Sequence, residues 1–182
     1  MKIEEITGDG RLWSVKYDNQ EDNALFMAFD QWTDVQWLRQ FFKDNINDLE
    51  SYFHITNVNQ AIYDTIEDSD ELECLIMDIS PEANLDAIFR PLENSRASEM
   101  LLSREKARIQ NRPKHASWLR LYAIRVSAGI YIVTGGAIKL TRTMQEREHT
   151  LLELQKMEQV RSFLMDNDIM DVDSLTDYIE EN

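Results

Sequence analysis

The run Trp118-Leu119-Arg120-Leu121-Tyr122-Ala123-Ile124-Arg125-Val126, then Ser127-Ala128-Gly129, then Ile130-Tyr131-Ile132-Val133-Thr134, decides the fold. Both long stretches are rich in β-branched and aromatic residues, and a three-residue break containing Gly129 separates them. That pattern predicts two strands joined by a tight turn. Gly135-Gly136 permits a further turn or bulge before a third strand, Ala137 to Thr141, so the expectation is an antiparallel three-strand meander. Side chains alternate across a strand, which puts Arg120 on a face with Trp118, Tyr122 and Ile124 and turns Arg125 to the other. Lys139 shares a face with Ala137 and Thr141.

Working outward, Thr143 and Glu146 have capping-box spacing and open a helix carrying Leu151, Leu154, Met157, Val160 and Leu164. Ile169, Val172, Leu175 and Ile179 mark a last short amphipathic helix. Upstream, Ser95 to Gln110 reads as a basic, exposed helix that ends at Asn111-Arg112-Pro113-Lys114. Near the N-terminus Leu12 to Tyr17 alternates, and Ala24 to Trp32 reads as a second strand across a hairpin loop at 18–23. Thr33 and Gln36 suggest a helix start, followed by Leu38, Phe42, Ile46, Leu49 and Phe53 on one stripe. A further helix opens near Asn57 and runs through Ile62 and Ile66. Another, Asp70 to Ile79, stops at Ser80-Pro81. The expected class is α+β: a small antiparallel sheet, made of the C-terminal meander plus an N-terminal hairpin, packed with several helices. Residues 1–89, 90–165 and 166–182 form three segments of one compact unit.

Charge is unevenly spread along the 182 residues. Residues 1–89 carry 5 basic and 20 acidic side chains, residues 90–161 carry 14 and 7, and residues 162–182 carry none and 7. A basic middle between acidic flanks suits a polyanion site, although neutralisation across one fold is the plainer explanation. The hydrophobic share of 43% excludes a mainly disordered chain. One cysteine, Cys74, excludes an internal disulfide framework and suits a reducing compartment; its apolar helical surroundings suggest a core position. No signal-peptide pattern and no membrane-length apolar run is present, so the expected location is cytoplasmic.

Several chemistries drop out. Gly135-Gly136-Ala137-Ile138-Lys139 lacks the Gly-Lys pairing of a P-loop. Asp166, Asp168, Asp171 and Asp173 resemble a calcium loop, but Asp171 stands where an EF-hand needs glycine. His54, His115 and His149 have no ligand-like spacing, so no metal and no cofactor are expected. No nucleophile elbow occurs. What remains is an arginine, a lysine and a tyrosine on a small sheet, Arg120, Lys139 and Tyr122. They suit phosphate binding and charge stabilisation during backbone cleavage, or are simple solvated strand positions.

The run Leu119 to Arg125, the run Tyr131 to Thr141, and Glu146-Arg147-Glu148 resemble the C-terminal half of RelE/HigB-type toxins of toxin–antitoxin pairs, over about residues 85–165. The resemblance implies a small α+β fold and a metal-independent mRNA endoribonuclease, ribosome-dependent or free, neutralised by an antitoxin protein. Arg120, Arg125 and Lys139 match the family's basic strand positions, and Arg142 and His149 match loosely. On this reading Arg120, Lys139 and Tyr122 are catalytic, while Arg125, Arg142, His149, Arg104 and Arg108 bind RNA. Length and acidity depart from the family, which is short and basic. The acidic flanks then read as a shield over the basic sheet. The alternative is a non-enzymatic protein, an antitoxin, immunity protein or nucleic-acid mimic, whose acidic helices bind a basic partner. Leu175, Ile179 and the apolar positions of the N-terminal helices serve equally as core or as homodimer contacts.

Overall fold

A computed structural model describes residues 1–92, 101–110 and 112–181. Among these residues the chain is α+β, with six strands in one mixed sheet and seven α-helices. In chain order these are β1 (Lys2–Glu5), β2 (Leu12–Lys16), α1 (Ala24–Thr33), α2 (Val35–Asp44), α3 (Ile46–Phe53), α4 (Val58–Ile76), α5 (Leu85–Ile88), β3 (Phe89–Pro91), β4 (Ser103–Ala107), β5 (Leu119–Ser127), β6 (Ile130–Ile138), α6 (Glu148–Asp166) and α7 (Val172–Glu181). The sheet order is β1-β2-β6-β5-β4-β3. All neighbours are antiparallel except β2 and β6, which run parallel with Ser14 opposite Val133. The sheet is therefore larger than the small antiparallel one expected, and it draws strands from both halves of the chain.

The hairpin at Ser127–Gly129 is present, with Gly129 at φ +73°. Gly135-Gly136 does not turn the chain: Ile130 to Ile138 is one continuous strand, and a register shift opposite Tyr122/Ala123 absorbs the irregularity. The glycines serve close packing instead. A Cβ on Gly136 would lie 2.6 Å from the Trp32 ring, and one on Gly135 would overlap the Glu153 carboxylate.

Five other expectations change. Ala24–Trp32 is helical, because the Asn23 side chain accepts from Phe26 N and caps it, and Ala24, Leu25, Ala28, Phe29 and Trp32 fall on a buried stripe at helical spacing. Asp34, and not Thr33, caps α2, accepting from the N–H groups of Gln36 and Trp37. Asp70 continues α4 without a break from Asn57, so two expected helices are one of 19 residues. Residues 103–107 of the expected basic helix form β4, with Ser103, Glu105 and Ala107 buried and Arg104 and Lys106 on the other face. Its residues 95–100 lie outside the described residues. Cys74 is exposed, since α4 buries Leu72 and Ile76 instead.

Each face of the sheet carries its own core. On one, α1 to α4 pack Leu25, Trp32, Leu38, Phe42, Leu49 and Leu72 against Leu12, Trp118, Leu119, Leu121 and Val133. On the other, α6 and α7 pack Met157, Val160, Leu164, Ile169 and Leu175 against Val15, Tyr122, Ile124 and Ile132. No helix among the described residues is long and apolar enough to cross a membrane.

Candidate nucleic-acid interface

The sheet extends past α6 on the second face, and the uncovered portion floors an open groove of about 850 Å³. Arg90, Arg104, Lys106, Arg108, Arg120, Lys139 and Arg142 line it together with Tyr122, and no carboxylate among the described residues does. Strand register explains the convergence. Arg90, Lys106, Tyr122 and Gly135 are successive direct partners across β3, β4, β5 and β6, and residues directly opposite share a face. Arg108, just past the end of β4, comes beside Arg120.

The cations rest on neutral oxygens. Arg120 Nη1 donates to the carbonyls of Ser117 at 2.7 Å and Leu119 at 2.6 Å. Lys139 Nζ donates to Thr141 and Arg142 carbonyls, both at 2.6 Å, and Lys106 Nζ to Leu92 at 2.9 Å. Such contacts fix position, and none of these three cations forms an ion pair among the described residues. Arg104 is the exception, paired with Glu158 at 2.6 Å. Burial, with Arg108 beside it, pushes the Arg120 guanidinium down to about 10. Burial lowers both lysines as well, Lys106 further through Arg120 and Arg108, and Lys139 further through Arg120 and Lys106. Like charges facing one another in a sheet are destabilising, so this row stores repulsion.

Tyr122 is wholly buried in the floor, and its hydroxyl has no hydrogen-bond partner among the described residues. Burial raises its pKa, which keeps the phenol protonated and a donor.

Five of the residues singled out from sequence thus meet with Tyr122 in one groove: Arg120, Lys139, Arg104, Arg108 and Arg142. Two do not. Arg125 points to the opposite face, where its Nη2 lies 3.3 Å from Asp86, a carboxylate that also accepts from Tyr131 and the Gly129 N–H. His149 sits on α6 against the Ile138 carbonyl, with its ring edge-on to Phe41. Lys106 and Arg90 were missed by the sequence reading. The alternation Ser103-Arg104-Glu105-Lys106-Ala107 carried the signal for Lys106, once period two is preferred to a helix.

No group of three His, Cys, Asp or Glu side chains suited to a metal ion occurs among the described residues. None of residues 162–181 lines the groove, so the acidic tail does not cover it. Compared with models of protein families, with curated proteins and with solved structures, the chain finds no match.

Proposed function

We propose that this protein binds the phosphodiester backbone of single-stranded RNA along the basic groove and cleaves it as a RelE/HigB-like endoribonuclease. The observation that supports binding is the row of Arg120, Lys106 and Lys139 seated on carbonyl oxygens, with no ion pair among the described residues, in a chain whose net charge is −15. Phosphates supply the missing negative charge, and contacts of this kind dominate nucleic-acid affinity.

For cleavage, a ribose 2′-hydroxyl attacks the adjacent phosphorus and passes its proton to a neutral lysine, Lys139 or Lys106. The bond from phosphorus to the 5′-oxygen breaks, and that oxygen takes a proton from water in the open groove. The products are a 2′,3′-cyclic phosphate and a 5′-hydroxyl. Arg120 stabilises charge on the non-bridging oxygens, and the buried Tyr122 ring forms the groove floor beneath it. A lysine base works unprotonated while binding uses its charged form. Cleavage therefore rises with pH through the lowered lysine pKa, and affinity falls over the same range.

Fluorescence anisotropy with a labelled 12-nucleotide RNA tests binding. About five phosphate contacts predict a slope of log affinity against log salt near −3.5, and Arg120→Met weakens binding about tenfold. Primer extension on cellular mRNA after brief induction tests cleavage, with new ends that vanish in Lys139→Ala. Binding without new ends leaves an RNA-binding module and removes the nuclease. Absence of binding at 50 mM salt overturns both.

A further inference from the structure

The cations of the basic groove are not spread evenly along it. Ala107 stands opposite Leu121 in the β4-β5 ladder, so the next step brings Arg108 opposite Arg120, and Lys106, opposite Tyr122, falls on a diagonal from it. On its other side Arg120 faces Ala137, and Lys139 N donates to Trp118 O, which places Lys139 on the opposite diagonal. Residues directly opposite have Cβ atoms about 5 Å apart and diagonal ones about 7–8 Å, so Lys106, Arg108 and Lys139 ring Arg120 on a single face. The carbonyls of Ser117 and Leu119 occupy only Nη1 of the Arg120 fork. Its Nε and Nη2 hydrogens donate to nothing among the described residues.

Positive charge is thus gathered at one point. A phosphodiester chain presents single charges separated by whole sugars. A triphosphate presents three linked phosphates whose end phosphorus atoms lie about one strand spacing apart, roughly 5 Å, and its terminal phosphate alone carries about two charges. A ring of four cations suits the second pattern. The remainder of the chain also favours a short ligand: seven of the 19 Lys and Arg side chains line the groove, and the other twelve are set against 34 acidic ones. A long polyanion has to run out past that acidic excess, whereas a nucleotide stays inside the groove. Its volume, about 850 Å³, lies within the roughly 300–1,000 Å³ of small-molecule sites. Met144 and Leu154, with the amides Gln110 and Gln145, are also in the lining and offer apolar contact and hydrogen bonds to a base. We infer that Lys106, Arg108, Arg120 and Lys139 seat the triphosphate of a free nucleoside triphosphate, which excludes RNA from the groove. The inference rests on the phosphate-binding reading proposed above and adds a regulator to it.

Calorimetric titration of ATP into the full chain, in magnesium-free buffer at 100 mM salt, tests the seat. AMP is expected to bind at least tenfold more weakly than ATP, with ADP between them. Lys106→Gln and Lys139→Gln each weaken ATP at least fivefold without moving the melting temperature, and Lys43→Gln on α2 changes nothing. In the anisotropy assay ATP displaces the 12-nucleotide RNA at concentrations that match its own Kd. RNA that binds while 5 mM ATP neither binds nor displaces it overturns the inference and leaves the RNA reading standing. ATP binding without RNA binding supports the seat and removes the RNA reading. ATP that binds no more tightly than a 5′-hydroxyl tetranucleotide, whose charges are spread out, overturns the compact seat. Inorganic triphosphate that matches ATP overturns the nucleotide in favour of an inorganic polyphosphate. A 12-nucleotide RNA with a 5′-triphosphate that binds over a hundredfold more tightly than ATP overturns it in favour of a transcript end.

Discussion

Glu153 shows how one residue records a conflict between packing and charge. It is 6% exposed, its Oε1 pairs with Lys156 at 2.6 Å, and its Oε2 is buried against Gly135 with no partner among the described residues. Burial outweighs Lys156 and raises its pKa. A carboxyl that holds its proton more tightly when folded contributes stability below the unfolded pKa of about 4.3, and that contribution is lost as pH rises through the folded value. Glu153→Gln removes the buried charge and keeps the shape. The expected gain at pH 8 is roughly 1 kcal/mol, vanishing near pH 4, in paired urea titrations. Equal gain at both pH values would show that the charge is not the cause. Glu153 was invisible as a special residue in the sequence, because only the loss of a side chain at Gly135, across 18 residues, makes room for it.

At the level of elements, α1 and β4 explain most of what the sequence concealed. Ala24 to Trp32 is so apolar that strand and helix patterns both accommodate it, and the arbiter was Asn23, which offers a side-chain oxygen to Phe26 N. In β4 the alternation was legible but short, and Arg, Glu and Lys are poor strand formers that gain their place from β5 beside them. The hairpin of β5 and β6, the cap at Asn57 and the apolar run of α6 were legible because long periodic runs specify local structure directly. The capping box of Thr143 and Glu146, by contrast, closes only a short 3-10 turn at Met144–Glu146, and α6 starts at Glu148 after Arg147 without a side-chain cap. The pairing of β2 with β6 was not, since nothing local encodes a partner so distant. Asp34 offers a test of capping: it accepts from two N–H groups of α2. Asp34→Ala is expected to cost about 1 kcal/mol, a fall of about 2–4 °C in melting temperature by calorimetry, with Asp34→Asn recovering most of it.

Across the whole molecule, the basic groove was foreshadowed by the charge pattern, but its composition was set by topology. Arg90 and Arg120 are thirty residues apart, and the β3-β4-β5 ladder brings them to one face. Strand alternation already turned Arg125 to the face opposite Arg120, and its assignment to RNA binding rested on the resemblance alone. The acidic tail was expected to cover the groove; instead Ile169 and Leu175 anchor it in the second core. Truncation would therefore expose that core, and its field is better tested by charge neutralisation. Replacing the exposed Asp173, Asp177, Glu180 and Glu181 by their amides is expected to strengthen RNA binding severalfold at 50 mM salt. The difference should disappear near 0.5 M, where the Debye length falls to about 4–5 Å. A salt-independent change would point to altered structure.

The parallel pairing of β2 with β6 also dictates when the molecule comes into being. Ser14 and Val133, partners in that ladder, lie 119 residues apart in the chain. During synthesis the helices of the first half emerge before the strands on which they pack, and nothing closes the sheet until β6 has left the ribosome. The groove, built from β3 to β6, assembles in that same last interval. A nascent chain cut short before β6 therefore carries neither a finished fold nor a phosphate-binding surface, so competence arrives in a single late step.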